Sequence, residues 1–241
     1  MSKKALIVWG GWDGHEPYLV AKRFEGMLIK EGFEVKVSDD LDSFADVEYL
    51  KSLDLIIPII TMSKITDEQL YPLLEAVASG VGLAGCHGGM ADSFREAVLY
   101  QFMVGGSWIS HPGGDGVKYM MNVKKNSSSP IIDGIDDFEV CTEQYYLHVD
   151  PCVDVLMTTT YPVVTWYHST NGQVDVPMMW TKMWGYGRVF YSALGHHNDV
   201  FDQYETHETM RRGMLWAAES KTIAKERGLD YHDLESDKKM T

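Results

Sequence analysis

Apolar residues in the first half of the chain fall into short unbroken runs separated by helical stripes. Residues 5–10 (ALIVWG) are almost wholly apolar and stop at Gly10-Gly11, as a strand buried on both faces does. Val20, Phe24, Met27 and Leu28 then recur at helical spacing, which predicts one buried face, with Pro17 in the first turn and Gly32 past the end. Residues 34–38 (EVKVS) alternate like a strand nearer the sheet edge. Residues 54–60 (DLIIPII) form the next buried run, and Pro58 is expected near its end because proline cannot donate to a ladder. Thr66 and Gln69 make a capping-box pattern ahead of Leu70, Leu73, Leu74 and Val77, and Gly80 closes that helix. Pro72 interrupts the stripe and predicts either a kink or a later start. A further strand ends near residue 86, and Phe94, Val98 and Phe102 mark one more helix. Strands alternating with helices predict right-handed crossovers and a parallel sheet covered on both faces.

The texture changes from residue 104. Gly105-Gly106, the stretch 111–116 (HPGGDG) and Ser127-Ser128-Ser129-Pro130 are loop signals. Short β-like runs at 119–123, 138–141, 153–159 and 163–167 predict strands that extend or decorate the sheet. Residues 188–194 (RVFYSAL) read as another buried strand, and Met210, Gly213, Met214 and Ala217 share one face of a last helix. The expected organisation is a single α/β domain over 1–219, followed by a charged segment over 220–241 that is solvated or used for docking. No internal repeat is present.

Composition narrows the function classes. A hydrophobic fraction of 45% in 241 residues suits one globular core, and a net charge of −14 argues against binding nucleic acid. Cys86, Cys141 and Cys152 have no C-x-x-C spacing, so neither a disulfide framework nor a thiolate zinc site is expected, and the odd count fits a reducing compartment. The N-terminus lacks the pattern of a signal peptide and no apolar run reaches membrane-span length, so a cytoplasmic, soluble protein without membrane partners is expected.

The chemistry concentrates at residues 82–89 (GLAGCHGG), where an apolar run ends in a corner of small residues carrying Cys86 and His87. Small residues flank a sharp strand-to-helix corner because Cβ atoms would strike neighbouring backbone, and the apex residue is held out beyond the sheet. The spacing fits with either His87 or Cys86 at that apex. In an open α/β sheet, ligands bind beyond the carboxyl ends of the strands. Polar groups expected there are Trp12-Asp13-Gly14-His15, Cys86-His87 and His196-His197-Asn198-Asp199. Two more follow strand-like or loop segments: Glu143-Gln144-Tyr145-Tyr146 with His148 and Asp150, and Ser110-His111-Pro112. His168, His207 and His232 read as ordinary polar residues.

These motifs, taken in order, resemble the ThuA-like (trehalose utilisation) family of the class I glutamine amidotransferase-like superfamily. The matching stretches are Gly85-Cys86-His87-Gly88-Gly89 with Ala91-Asp92-Ser93-Phe94, Gly105-Gly106 through His111-Pro112, and Glu143-Gln144-Tyr145. Gly187-Arg188-Val189-Phe190-Tyr191 into Gly195-His196, and Arg212-Gly213-Met214-Leu215-Trp216-Ala217, complete the match. The resemblance implies a flavodoxin-like three-layer α/β/α sandwich with a mostly parallel central sheet, and a role in sugar catabolism. It also implies that His87 holds the apex. A glutaminase of this superfamily needs an apex cysteine and a His-x-Glu pair, whereas this chain reads His196-His197-Asn198, so ammonia transfer from glutamine is not expected.

An enzyme acting on a sugar or keto-sugar is therefore expected, working by isomerisation, elimination or hydrolysis. His87, Glu143 and His196 are its expected catalytic residues. Neutral imidazoles ligate divalent ions, so His15, His87 and His196 are candidate ligands for a metal, zinc above others; acid–base chemistry by His87 is the metal-free form. Trp12, Asp13, Cys86, His111, Tyr145, His148, Trp180 and His197 are candidate substrate contacts. No nucleotide cofactor is expected, and a homo-oligomer is expected from the family and the late apolar helix. Two alternatives are a hydrolase or transferase with Cys86 as nucleophile, and a non-catalytic sugar-binding or regulatory protein.

Overall fold

The buried runs become sheet strands in the computed structural model, which describes residues 2–234. The elements in chain order are β1 (Lys4–Gly11), α1 (Pro17–Lys30), β2 (Glu34–Ser38), α2 (Val47–Lys51), β3 (Leu55–Thr61), α3 (Asp67–Ala78), β4 (Gly82–Cys86), α4 (His87–Ala91) and α5 (Val98–Val104). They continue with β5 (Gly106–Ser110), β6 (Val117–Val123), β7 (Phe138–Thr142), β8 (Tyr146–Val149), β9 (Asp154–Tyr161), β10 (Val174–Trp184), β11 (Gly187–Ser192) and α6 (Tyr204–Glu226). Nine strands form one sheet in the order β2-β1-β3-β4-β11-β10-β9-β6-β7, and β5 pairs with β8 beside it. From β2 to β11 the neighbours are parallel. From β11 to β7 they are antiparallel, so the second half of the chain extends the sheet. The architecture is mixed α/β, as expected.

Side-chain alternation along β11 shows that helices cover both faces of the sheet. Phe190 lies against Gly213 of α6, and Arg188 bonds the Trp216 carbonyl of the same helix. Gly187, of opposite parity, lies against Val77 of α3. Helix α1 shares the α6 face, tied to it by the Arg211–Glu31 ion pair. Leu6, Ile7 and Val8 of β1 and Leu55, Ile56 and Ile57 of β3 are fully buried, each side chain contributing about 1.5–3 kcal/mol of transfer free energy. Among the described residues no helix is long and apolar enough to cross a membrane.

Several sequence expectations change. Pro58 sits in mid-strand rather than near the end of β3. Its missing N–H costs no ladder bond toward β4, because that pairing stops at Ile56. Pro72 neither delays nor breaks α3: the Thr66–Gln69 capping box starts the helix where the pattern put it. In α5 the buried face is Tyr100, Met103 and Val104, while Val98 and Phe102 are exposed and Phe94 belongs to the turn before the helix. The run at 163–167 is not a strand; it leads into the 3-10 turn Tyr167–Asn171, with Val163, Trp166 and Tyr167 exposed. The 11-residue β10 was not foreseen, because Pro177 and register shifts around Met179 break its alternation. The charged segment expected from 220 begins later. Helix α6 runs on to Glu226 with Ser220 and Ala224 buried, and Ser220 donates to the Gly80 carbonyl. Residues 235–241 of that expected segment lie outside the described residues.

Close helix–sheet approach rests on glycine at particular positions. A Cβ on Gly82 would stand 2.3 Å from the Ala217 carbonyl oxygen, a backbone atom. Gly26, inside α1, has nothing within 4 Å of its Cβ position. Gly82→Ala should therefore destabilise the protein by about 1–3 kcal/mol, and Gly26→Ala should stabilise it by about 0.5–1 kcal/mol. Urea unfolding of the two variants, read as midpoints, checks the opposite signs.

Candidate functional site

Four side chains from four separate segments meet at the carboxyl ends of the parallel strands. His15 follows β1, His87 follows β4, His196 follows β11, and Glu143 follows β7. One ligating atom from each lies within 4.8 Å of the others, and all four residues are buried. The histidine rings pack edge to face, with centroids 4.7 Å apart for His15–His87, 5.1 Å for His15–His196 and 5.3 Å for His87–His196.

The backbone corner decides which residue is the apex. His87 adopts a left-handed conformation (φ 49°), whereas Cys86 is extended (φ −140°). A side chain at positive φ costs of order 1–3 kcal/mol, which the surrounding structure must offset. Glu16 and Met62 share this conformation, and no other non-glycine residue does among those described. All three flank the site, since Glu16 follows His15 and Met62 follows Thr61, the hydrogen-bond partner of His15. The small residues are explained by approach: a Cβ on Gly88 would stand 2.6 Å from His15 Cε1, and one on Gly89 would stand 3.0 Å from Ile59 Cα.

Hydrogen bonds orient each imidazole. His87 Nδ1 donates to the Ala193 carbonyl at 2.8 Å, so Nε2 is the nitrogen turned to Glu143, 3.1 Å from Oε2. His15 Nδ1 bonds Thr61 Oγ1 at 2.8 Å, which leaves its Nε2 for the cluster. His196 Nδ1 lies 3.3 Å from Glu143 Oε2 but makes no hydrogen bond, a buried polar atom without a partner. Tyr145 stacks on His87 with centroids 3.9 Å apart.

Protonation states follow from this packing. Burial, with the neighbouring His87 and His196 charges, pushes His15 down to about 2. Burial, then His87, lowers His196 to about 4 against the opposing pull of Glu143. Burial alone would raise Glu143, but its bond to His87 and the nearby imidazoles hold it at about 2. At neutral pH the site therefore presents a carboxylate and at least two neutral imidazoles, the forms that ligate a metal ion. The nitrogen–oxygen set suits zinc or a similar divalent ion.

The remaining candidates divide. Trp12 is half-exposed at the mouth, its ring 4.7 Å from His15 and 6.5 Å from His196. His111 Nδ1 approaches Glu143 Oε1 to 3.6 Å without bonding, and His197 packs on His196 at 4.0 Å. Tyr145 is buried and serves as a wall behind His87 rather than an open face. Asp13 is exposed on the turn after β1. Trp180 is a core residue, fully buried and donating to the Val104 carbonyl. His148 is exposed on β8 and lies outside the four-residue group. Cys86 is buried behind the corner, near Gly195, and burial pushes its thiol up to about 12, which disqualifies it as a nucleophile at neutral pH. Thr61 was not foreseen, nor was Asp115, whose Oδ2 lies 4.0 Å from His197 Nδ1. Thr61 closes a buried strand at the sheet's carboxyl edge, a position signal that could have found it; Asp115 sits in the glycine loop and had no such signal.

Known proteins resemble the chain at the level this geometry implies. Residues 4–217 match the profile of the ThuA family, described as trehalose utilisation. No curated protein matches the sequence. Among solved structures, a putative ThuA-like protein from Bacteroides uniformis shares 19% identity, with 89% of this chain and 91% of that chain covered and a TM-score of 0.72. Another from Parabacteroides merdae shares 17% identity over 90% of each chain, with a TM-score of 0.70. A glutamine amidotransferase from Thermotoga maritima shares 12% identity over 97% of this chain and 89% of that one, with a TM-score of 0.51. At these identities the solved structures establish the shared fold.

Two outcomes follow from the titrating groups. In the folded protein, Ellman's reagent at neutral pH should modify the exposed Cys141 and Cys152, and Cys86 only after unfolding. The depressed values of His15 and His196 mean that the unfolded chain binds more protons below pH 6.5. Their contribution to stability is then complete above pH 6.5 and is lost as pH falls, each proton adding up to ~1.4 kcal/mol per pH unit. Urea midpoints measured from pH 7 to pH 4.5 should fall, and the fall should flatten in His15→Gln.

Proposed function

Because the chain belongs to the ThuA family, described as trehalose utilisation, we propose that it is a carbohydrate-utilisation enzyme acting on a sugar or keto-sugar, with a divalent ion, zinc, held by His15, His87 and His196. The observation that supports this reading is the orientation of His87. Its Nδ1 proton is committed to the Ala193 carbonyl, so Nε2 turns its remaining valence to the Glu143 carboxylate at 3.1 Å. At that distance the nitrogen and the carboxylate need a positive centre between them, either a second ring proton or a metal ion. With His196 Nδ1 also unpartnered beside the same carboxylate, three imidazoles and one carboxylate converge on that place.

A bound divalent ion would polarise a sugar carbonyl or hydroxyl oxygen and stabilise the negative charge that develops on it. Glu143, ionised and buried, takes a proton from the substrate carbon or hydroxyl and returns it to the product. Tyr145 keeps the His87 ring in place by stacking, and Thr61 does the same for His15 by hydrogen bonding. Trp12 offers its exposed face to a sugar ring at the mouth. His111 and His197 stand close enough to meet its hydroxyls.

A second reading rests on the same 3.1 Å contact, which is also a hydrogen bond: a proton between His87 and Glu143 makes an acid–base pair that needs no metal. Metal analysis of protein purified without a histidine tag separates the two. The metal reading expects about one divalent ion per chain. Removing the ion with chelator, or substituting His87→Ala, should then lower turnover of a trehalose-derived keto-sugar, followed by NMR, at least ~100-fold. Full turnover by metal-free protein would overturn it in favour of the acid–base pair. Absence of turnover on any keto-sugar, with binding retained, would favour a non-catalytic role.

A further inference from the structure

The buried four-residue group has a second cluster of ligating side chains on its outer side. Asp115, His196 and His197 each bring one ligating atom within 4.8 Å of the others, and the three run from exposed through intermediate to buried. His196 belongs to both clusters. We propose that Asp115, His197 and His196 form an outer divalent-cation site at the mouth, through which the ion reaches the buried His15–His87–Glu143–His196 group. The inference rests on the reading of that inner group as a metal site.

Geometry, burial and charge support the assignment. The inner ligands are between 1% and 7% exposed, so an ion with its full water shell cannot arrive there directly. Water must be exchanged for protein ligands in steps, and the first ligands have to stand where solvent reaches. Asp115 is exposed and His197 half-buried, with His197 Nδ1 4.0 Å from Asp115 Oδ2. Ligand atoms about 2.0–2.1 Å from a tetrahedral ion stand ~3.3 Å apart, so a small closure of the loop completes the pair. Gly113 (φ 100°), Gly114 (φ 67°) and Gly116 (φ 75°) surround Asp115 with backbone that side-chain-bearing residues rarely adopt, and neither Gly114 nor Gly116 has an atom within 4 Å of its Cβ position. Gly113 packs against Val117 and Val164, so the room to move lies at the tip, around Gly114 and Gly116.

His196 makes the transfer possible. Its ring packs on His197 at 4.0 Å on one side, and its Nδ1 lies 3.3 Å from Glu143 on the other, with no hydrogen bond to break. An ion bound outside already holds one inner ligand, and it exchanges Asp115 and His197 for the remaining imidazoles, beside the Glu143 carboxylate, without returning to water. A carboxylate at the entrance also places negative charge where a cation arrives, on a chain whose net charge is −14.

A loading site lowers the barrier to entry and exit together and leaves the end state unchanged. Apoprotein mixed with Co2+ in a stopped-flow instrument, followed by the visible absorption of the bound ion, tests this. The double variant Asp115→Asn, His197→Gln should take up Co2+ at least 10-fold more slowly than wild type and release it to chelator more slowly by the same factor. Its final stoichiometry and equilibrium affinity should match wild type, and His87→Ala should lose retained Co2+. Unchanged uptake and release would overturn the proposal. Faster release with weaker affinity would also overturn it, by making Asp115 a resident ligand. Two retained ions per wild-type chain would overturn transfer in favour of a two-ion centre. If wild type itself retains no Co2+, the metal reading of the inner group fails and this inference falls with it.

Discussion

A single hydrogen bond, from His87 Nδ1 to the Ala193 carbonyl, sets the chemistry of this protein. A carbonyl oxygen only accepts, so the bond assigns the proton on that ring and commits Nε2 to the cluster. The bond forms because His87 leaves β4 in a left-handed turn while β11 runs parallel to β4, placing Ala193 just beyond the end of that pairing. Every other element of the site is arranged around that ring. Tyr145 stacks on it, Tyr191 donates to its backbone carbonyl, Gly88 clears the space for His15, and Glu143 meets its Nε2.

The strain at the site is carried by the core. Met62 and His87 hold unfavourable backbone conformations directly after β3 and β4, and Glu16 does so at the close of the 3-10 turn that follows β1. Strands β3 and β4 are buried throughout and β1 through its middle, with helices on both sides of the sheet, and they give the turns no freedom to relax. Rigid strands thus hold four polar side chains in a space from which water is largely excluded. The lowered values of His15 and His196 follow from the same exclusion.

The sequence revealed the parallel half of the fold because there the hydrophobic period and the secondary structure agree. Residues 5–10, the capping box at Thr66 and the stripe through Met210 and Met214 each have a local cause and read directly. The antiparallel half was harder, since β10 carries Pro177 and a bulge that erase its alternation, and β5 and β8 are short pieces held by pairing with each other. His15, His87, Glu143 and His196 were legible as polar residues at strand ends. Their convergence was not, because it depends on strand order, and no local pattern encodes which strands become neighbours. Trp180 was misjudged for the complementary reason: residue type suggested contact with a ligand, but its position in the core decided otherwise.

Glu143 is the one member of the inner cluster supplied by the antiparallel extension, while the three histidines follow β1, β4 and β11, which belong to the parallel half. The nitrogen donors and the acid therefore belong to separately built parts of the molecule. Insertions, deletions or reshaping between β6 and β9 can replace the acid, or move it, without touching the strands that hold the imidazoles. A scaffold divided in this way can keep the histidine trio fixed while the extension alone sets which polar group faces it.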